Sequence, residues 1–453
     1  MTPTRTLIFM PQRSRLTFAA AIAVLLLAGM TFGASLWLLA AYAGVLMVGV
    51  GFWLASRWHQ AAMAVRHAGP SEREIGESFE VIVDIRNASR LPIGWILVED
   101  LLPRQAIALR PVGLELSGSR MEVLFLWPGQ TRQLRYTVTC RRRGYFQIGP
   151  TVLETGDLMG LSRRFRIGTE PQFVLVYPHQ VPLAGYDIAS PRPIGEIRIR
   201  DAVMQDPTRI RGIRKWQIGD PLRSVHWAAT ARTGTLHSKV YEPTSMAGAT
   251  IVLDLHRDTN PRQHEPVRSD LAVSLACSVA ATLYELNQPV GLLSNGRDAA
   301  DRIRTEGFDT DFRTRDAVRS GVSMRERDDR LRPLIIDTDR GPAHFEEIRR
   351  ALARVELSGG LPIGETIVGN QSRLAHDATL LVILQVCDRQ TAALLIDMKR
   401  RGWSVTVVIN TSDINDYAAS SGPLIAAGID TLHLTDEAAL PLVTRRASIR
   451  GAS

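Results

Sequence analysis

The chain carries 453 residues, a formal charge of +8, 22 % charged residues and three cysteines. Its length exceeds one ordinary domain and points to two or three. Cys140, Cys277 and Cys387 are far apart and odd in number, with no CxxC pair. That argues against a disulfide framework or structural zinc and for a reducing compartment.

Residues 16–55 contain no charged side chain and lie between Arg15 and Arg57. Such a stretch is about twice what one helix needs to cross a bilayer. Gly33, Ala34 and Ser35 sit near its middle, where a tight turn separates two expected spans, 16–32 and 35–55. Trp37, Trp53 and Trp58 are available as interfacial anchors. Backbone in lipid must satisfy its own hydrogen bonds, so the expectation is a transmembrane helical hairpin over 16–56 behind a tail at 1–15. A cleaved signal peptide is the competing reading, but the second apolar stretch would still anchor the chain. Before Glu72 there are five arginines (Arg5, Arg13, Arg15, Arg57 and Arg66) and no acidic residue. The positive-inside rule then puts both ends in the cytoplasm, giving a multi-pass membrane protein with cytoplasmic soluble domains. Setting those five aside leaves 49 of the 54 basic residues against 46 acidic ones. That near balance excludes nucleic acid as the expected partner.

Over 72–177 the pattern is short and β-like. Phe79 to Ile85 alternates apolar and charged positions, and Arg86 to Ser89 supplies a turn. The stretches 95–98, 121–126 and 135–140 repeat that rhythm, which predicts a small β-sandwich. Arg141, Arg142 and Arg143 follow; they suit either a solvated strand end or lipid headgroups. The segment 178–247 is rich in Arg, Pro and Gly without a long period and reads as a connector packed on its neighbours. From 248 to 453 strands alternate with helices: strands at 250–255, 289–293, 379–385, 403–409 and 431–434, helices at 269–285, 344–355 and 389–401. The expectation is a parallel sheet wound on both faces. The charged, poorly periodic stretch 296–330 reads as an exposed insertion.

The densest feature lies in the connector. Gly219-Asp220-Pro221 is a turn in which Asp220 can cap backbone amides. Arg214, Arg223 and Arg232 can pair bidentately with carboxylates, and Trp216 and Trp227 offer large apolar faces. Asp220, His226 and Arg223 could form an acid–base site. A network locking the β-rich and α/β domains together is preferred, because no nucleophile or ligand set accompanies them.

This segment resembles the signature of the bacterial family called domain of unknown function 58. Arg214, Gly219, Asp220, Arg223, Trp227, Ala231 and Arg232 match that pattern, with Trp216 at the usual tyrosine position. Arg143-Gly144 with Gly149-Pro150, Gly156-Asp157 with Gly160-Leu161, and the paired N-terminal spans resemble the family too. The resemblance implies a von Willebrand factor A-like C-terminal domain and association with a MoxR-type AAA+ ATPase, often beside transglutaminase-like membrane proteins. It implies a multi-pass protein of the bacterial inner membrane that serves as a membrane-tethered adaptor in assembly or maturation of envelope or other complexes.

A von Willebrand A domain holds a divalent cation such as Mg²⁺ or Ca²⁺ through a D-x-S-x-S loop plus a later threonine and aspartate. Here Asp254 matches, but both serines are replaced, by His256 and Asp258. Thr366 and Asp388 are the candidates for the later loops. Three carboxylates crowding an empty site would repel, which favours an ion; neighbours such as Arg257 could compensate instead. The alternative to the adaptor is therefore a metal-dependent hydrolase using Asp254, Asp258 and Asp388, with His256. No Walker loop is present, so the chain itself is not expected to hydrolyse ATP.

Overall fold

A computed structural model of the chain describes residues 8–9, 12–32, 35–67, 69, 71–103, 106–107, 111–157, 160, 163–183, 205–217, 224–243, 248–301, 332–376 and 378–443. Two helices come first, α1 (Gln12–Phe32) and α2 (Ser35–Ala61). They lie side by side: a Cβ on Gly29 would strike Leu38, and one on Gly44 would touch Ile22. Among the described residues, Leu36–Ala61 is the stretch long and apolar enough to cross a membrane, while α1 offers the shorter apolar run Ala19–Thr31. α1 opens on Gln12, Arg13, Ser14 and Arg15, ahead of the expected span 16–32.

The β-rich region holds strands β1 (Ile8–Phe9), β2 (Ala62–His67), β3 (Glu72–Arg73), β4 (Ser78–Asn87), β5 (Ile93–Asp100) and β6 (Leu114–Gly118). It continues with β7 (Met121–Leu126), β8 (Thr131–Cys140), β9 (Gly144–Ile148), β10 (Thr151–Gly156), β11 (Arg163–Thr169) and β12 (Gln172–Val176). It therefore begins ahead of residue 72, because α2 runs directly into β2. Among the described residues the strands pair in the orders β1-β11-β10-β5-β7, β2-β4-β8-β6 and β3-β12-β9. Period-two alternation supplies the core: β4 buries Phe79, Val81, Val83 and Ile85, and β8 buries Leu134, Tyr136 and Val138. Ile93, Ile96, Val98, Leu124 and Leu126 of the five-stranded sheet join the same cluster, and so does Trp58 of α2.

Arg66 is not a membrane-flanking charge, as its position before Glu72 suggested. Its side chain is buried on β2, where it pairs with Asp100 and donates to Ile148 O (3.1 Å) and Glu170 O (2.9 Å). Asp100 also accepts from Tyr136 Oη (2.6 Å) and Thr151 Oγ1 (3.0 Å). Gly149, at φ +86°, leaves room for the Arg66 guanidinium, which a Cβ would hit.

The described part of the expected connector is a two-stranded unit, β13 (Gln205–Lys215) and β14 (His237–Pro243), with α3 (Trp227–Thr233) between them. The α/β region follows with β15 (Ala249–Leu253), β16 (Val290–Ser294), β17 (Arg297–Asp298), β18 (Leu334–Asp339), β19 (Val355–Glu356), β20 (Thr379–Leu384), β21 (Ser404–Asn410) and β22 (Asp430–Leu434). Its helices are α4 (Val267–Glu285), α5 (Pro342–Arg354), α6 (Ile363–Gly369), α7 (Arg389–Arg400) and α8 (Ile414–Ala426). The main sheet runs β18-β16-β15-β20-β21-β22. It is mixed rather than purely parallel, since β18 pairs antiparallel with β16 at the edge. Ile251, Leu253, Leu381 and Ile383 face α4 and α5; Val252, Leu380, Val382 and Leu384 face the side of α6, α7 and α8. Strands buried on both faces explain why these runs read as continuous apolar stretches. The expected insertion at 296–330 falls mostly outside the described residues, but its start does not: Arg297 and Asp298 pair with β19 and Arg297 is buried.

Candidate functional site

The strand order reverses between β15 and β20, and open α/β sheets bind ligands at the carboxyl ends of strands at such a point. Asp254 follows β15 there and is 2 % exposed. Its Oδ1 accepts from Asn295 Nδ2 (2.8 Å) and from the His256 amide (3.1 Å); its Oδ2 accepts from Thr259 Oγ1 (2.6 Å). Burial pushes the Asp254 carboxyl above its ordinary range, and these three donors pull it back down. His256 has both ring nitrogens engaged, Nε2 with Gly360 O (3.1 Å) and Nδ1 with the Asp258 amide (3.2 Å). The Asp258 side chain is 92 % exposed. Thr366 Oγ1 donates to the O of Pro362, the residue that opens α6 (3.0 Å), and Asp388 caps α7 by accepting from the Thr391 amide (2.8 Å).

These residues do not fit a divalent ion. Both oxygens of Asp254 are taken by neutral donors whose hydrogens a cation would repel, Thr366 and Asp388 serve local backbone, and the Asp258 side chain lies in solvent. Among the described residues no group of three His, Cys, Asp or Glu side chains could hold a metal. Cys387, next to Asp388, is a poor nucleophile: burial and then the Asp388 and Asp254 carboxylates push its thiol up to about 12. Sequence reasoning missed Asn295 and Thr259. Asn295 stood two residues beyond the second expected strand, and the carboxyl-end rule would have singled it out.

Next to this point lies a cleft of about 530 Å³ between the β-rich and α/β regions, with Arg142, Tyr145, Phe146, Arg257, Arg262 and Glu265 in its wall. The arginine run weighed for lipid contact belongs here. Arg142 Nε meets Asp270 Oδ2 at 2.6 Å and Arg143 Nε meets Asp270 Oδ1 at 3.0 Å. Arg143 Nη1 also donates to Leu352 O (3.0 Å) and Val355 O (2.8 Å) at the end of α5. A second tie joins Arg349 to Glu74, with the Arg349 guanidinium 4.0 Å from the Tyr177 ring centre. The lock between the two regions is thus made by Arg142, Arg143 and α5.

The motif residues are gathered elsewhere. Gly219, Asp220 and Arg223 lie outside the described residues. Trp216 is half-buried and its amide donates to Leu236 O (2.8 Å). His226 caps α3, its Nδ1 accepting from the Ala229 amide at 3.1 Å. Trp227 is 67 % exposed, and Ile213 and Leu236 are 46 % and 43 % exposed. Arg214, Lys215 and Arg232 are exposed beside them. The arrangement is a small hairpin unit that exposes these apolar and basic side chains, Ile213 and Leu236 on opposite faces of the β13–β14 ladder.

Residues 212–314 match the family model described as "Protein of unknown function DUF58". The "Uncharacterized protein YeaD" of Bacillus subtilis (strain 168) is 21 % identical over 236 residues, which is 52 % of this chain and 56 % of that protein. The chain therefore spans about half the length of the relative it matches. Among solved structures, the CARDB domain of a Pyrococcus furiosus protein is 11 % identical, with a TM-score of 0.18, over 25 % of this chain and 91 % of that one. A Salmonella alpha-2-macroglobulin is 17 % identical, with a TM-score of 0.21, over 27 % of this chain and 7 % of that one. Likenesses that slight carry no argument. The resemblance read from Arg214 to Arg232 is borne out: residues 212–314 match the family model of domain of unknown function 58, and a distant relative aligns over about half of the chain.

Proposed function

We propose that this chain is a membrane-anchored interaction protein that docks a MoxR-type AAA+ ATPase during assembly or maturation of an envelope or other complex, and catalyses no reaction itself. The observation that carries this is the exposure of the family motif: Trp227, Ile213 and Leu236 face solvent on the hairpin unit, beside Arg214, Lys215 and Arg232. Large apolar side chains left exposed together with arginine on a small unit are the composition of a binding surface. The reversal of strand order at β15 and β20 supports the von Willebrand factor A-like reading of the α/β region. The shared core of the five-stranded and four-stranded sheets supports the sandwich reading of the β-rich region.

α1 beside α2, and β1 paired with β11 while α2 packs on Arg164 of that strand, support a two-span hairpin with both flanks on one side; the arginines at those flanks favour the cytoplasmic side. Bilayer lipid and a transglutaminase-like membrane protein are the further partners this reading implies. Purification of the full chain in mild detergent, with and without ATP, tests it. An AAA+ ATPase should co-purify, and Trp227→Ala should weaken its retention about tenfold or more. Recovery of no AAA+ protein in either state would sink the adaptor reading. The rival hydrolase on Asp254, Asp258 and Asp388 requires stoichiometric Mg²⁺ or Ca²⁺ uptake; the donor-filled Asp254 leads us to expect none by calorimetry.

A further inference from the structure

β7 is the edge of the five-stranded sheet, and its outward row is apolar throughout. Met121, Val123, Phe125 and the following Trp127 are 46 %, 62 %, 46 % and 61 % exposed, while Leu124 and Leu126 point into the core. Phe125 and Trp127 meet edge to face with ring centres 5.2 Å apart. Soluble sheets protect their edges with charge or a bulge, so a bare ridge of this kind calls for an occupant.

Hydrogen bonds lead from the Trp127 end of the ridge to the end of α2. The turn at 127–130 is held to β4, Gly129 N donating to Asn87 O (3.0 Å) and Asn87 N to Gln130 O (3.0 Å). The next residue, Ala88, donates to Ala61 O, the last residue of α2, at 2.9 Å. On the neighbouring strand Ile93 pairs with Leu126, and Gly94 makes room for the ring of Trp58 from α2. Trp127 therefore sits beside the point where the apolar helix gives way to the β-rich region. Three arginines lie at this same end of the β-rich region: Arg86 opposite Thr131, Arg132 opposite Ile85, and Arg90 in the loop that follows Ala88. All three are exposed, and none has an ion-pair partner among the described residues. Met63, paired with Arg86, adds another exposed apolar side chain.

We propose that this end of the β-rich region is a second membrane contact: Trp127 and Phe125 enter the headgroup layer of an anionic bilayer while Arg86, Arg90 and Arg132 hold its phosphates. Aromatic rings favour that layer, and basic groups near an anionic surface are drawn to it. The continuity with α2 and the charge complementarity select lipid over a strand from another protein. The contact rests on α2 being the anchor and orients the soluble part against the membrane, leaving the motif hairpin to a partner.

The test uses the full chain reconstituted in phosphatidylcholine vesicles with or without phosphatidylglycerol. An environment-sensitive fluorophore is placed at Trp127→Cys, and separately at Phe125→Cys, Val123→Cys and Met121→Cys, all in a Cys387→Ser background. With phosphatidylglycerol, a headgroup spin label should quench the probe most at 127 and progressively less toward 121. Each Arg→Gln change at 86, 90 or 132 should lower the occupancy of the quenched state about fivefold. Water-like, unquenched emission at all four positions in both lipids would overturn the contact. So would a probe that turns apolar only when a partner protein is added. Alkaline carbonate extraction of the same vesicles separates the two levels: a chain that washes out refutes the anchor, while a retained but unquenched one refutes this contact alone.

Discussion

The β-rich and α/β regions each bury an aspartate, and they treat it in opposite ways. Asp100 has its cation inside the fold: Arg66 faces it with Tyr136 and Thr151 completing the shell, all within the core. Asp254 has only neutral donors, from Asn295, Thr259 and the His256 amide, and it sits on a loop at the mouth of the sheet. A buried carboxylate with a buried guanidinium is a fixture that resists removal of either half. One held by neutral groups keeps a raised affinity for its proton and tolerates an uncharged replacement. Burial by itself therefore does not mark a site; the charge and identity of the partners distinguish a structural aspartate from a candidate ligand.

That contrast can be broken. Arg66→Met strands the Asp100 charge in the core and should cost about 3–5 kcal/mol in denaturant melts of the full chain in detergent. Combined with Asp100→Leu it should cost clearly less, and an undiminished loss in the double variant would show that Arg66 acts through packing alone. Arg143→Ala removes donors from Leu352 O and Val355 O at the boundary between the regions and should cost roughly 2–3 kcal/mol. Limited proteolysis should then find the two regions cut apart sooner; unchanged cleavage would move the lock to Arg349. His226→Ala removes the α3 cap and should loosen the motif unit by about 1 kcal/mol, read as faster amide exchange over 227–233.

The smallest effect concerns Asp254 and appears in the pH profile. Its folded carboxyl holds a proton to higher pH than the unfolded chain does. Its contribution to stability is therefore full in acid, below the unfolded value, and is lost as pH rises through the folded one. Asp254→Asn should flatten that decline while leaving the acid-side melting temperature nearly unchanged. A profile that keeps its slope would assign the titration to another group.

Much of the architecture was legible because it depends on local period. Phe79 to Ile85 alternates and became β4; Leu380 to Leu384 is apolar throughout because both faces of β20 are covered. β18 escaped notice: Leu334 to Asp339 is a short apolar run ending in polar residues, and its antiparallel pairing at the edge leaves no period to read. The hairpin unit around α3 escaped for a different reason. Its two strands flank a helix of one family motif, and their pairing across that helix is long-range. At the candidate site Asp254 was picked out by its match to the D-x-S-x-S loop that the family resemblance implies, which gave no hint that Asn295 and Thr259 would occupy its oxygens.

The amino-acid order alone determined the uncharged stretch beyond Arg15, the two kinds of repeat that follow it, and the family signature at Arg214 to Arg232. Each of these is written within a few neighbouring residues, where spacing translates directly into a face or a span. Only the tertiary structure decided that Arg66 belongs to a core, that Arg143 joins two regions, and that Asp254 is filled by neutral donors. A charge takes its meaning from the group opposite it, and in this fold that group lies far away along the chain.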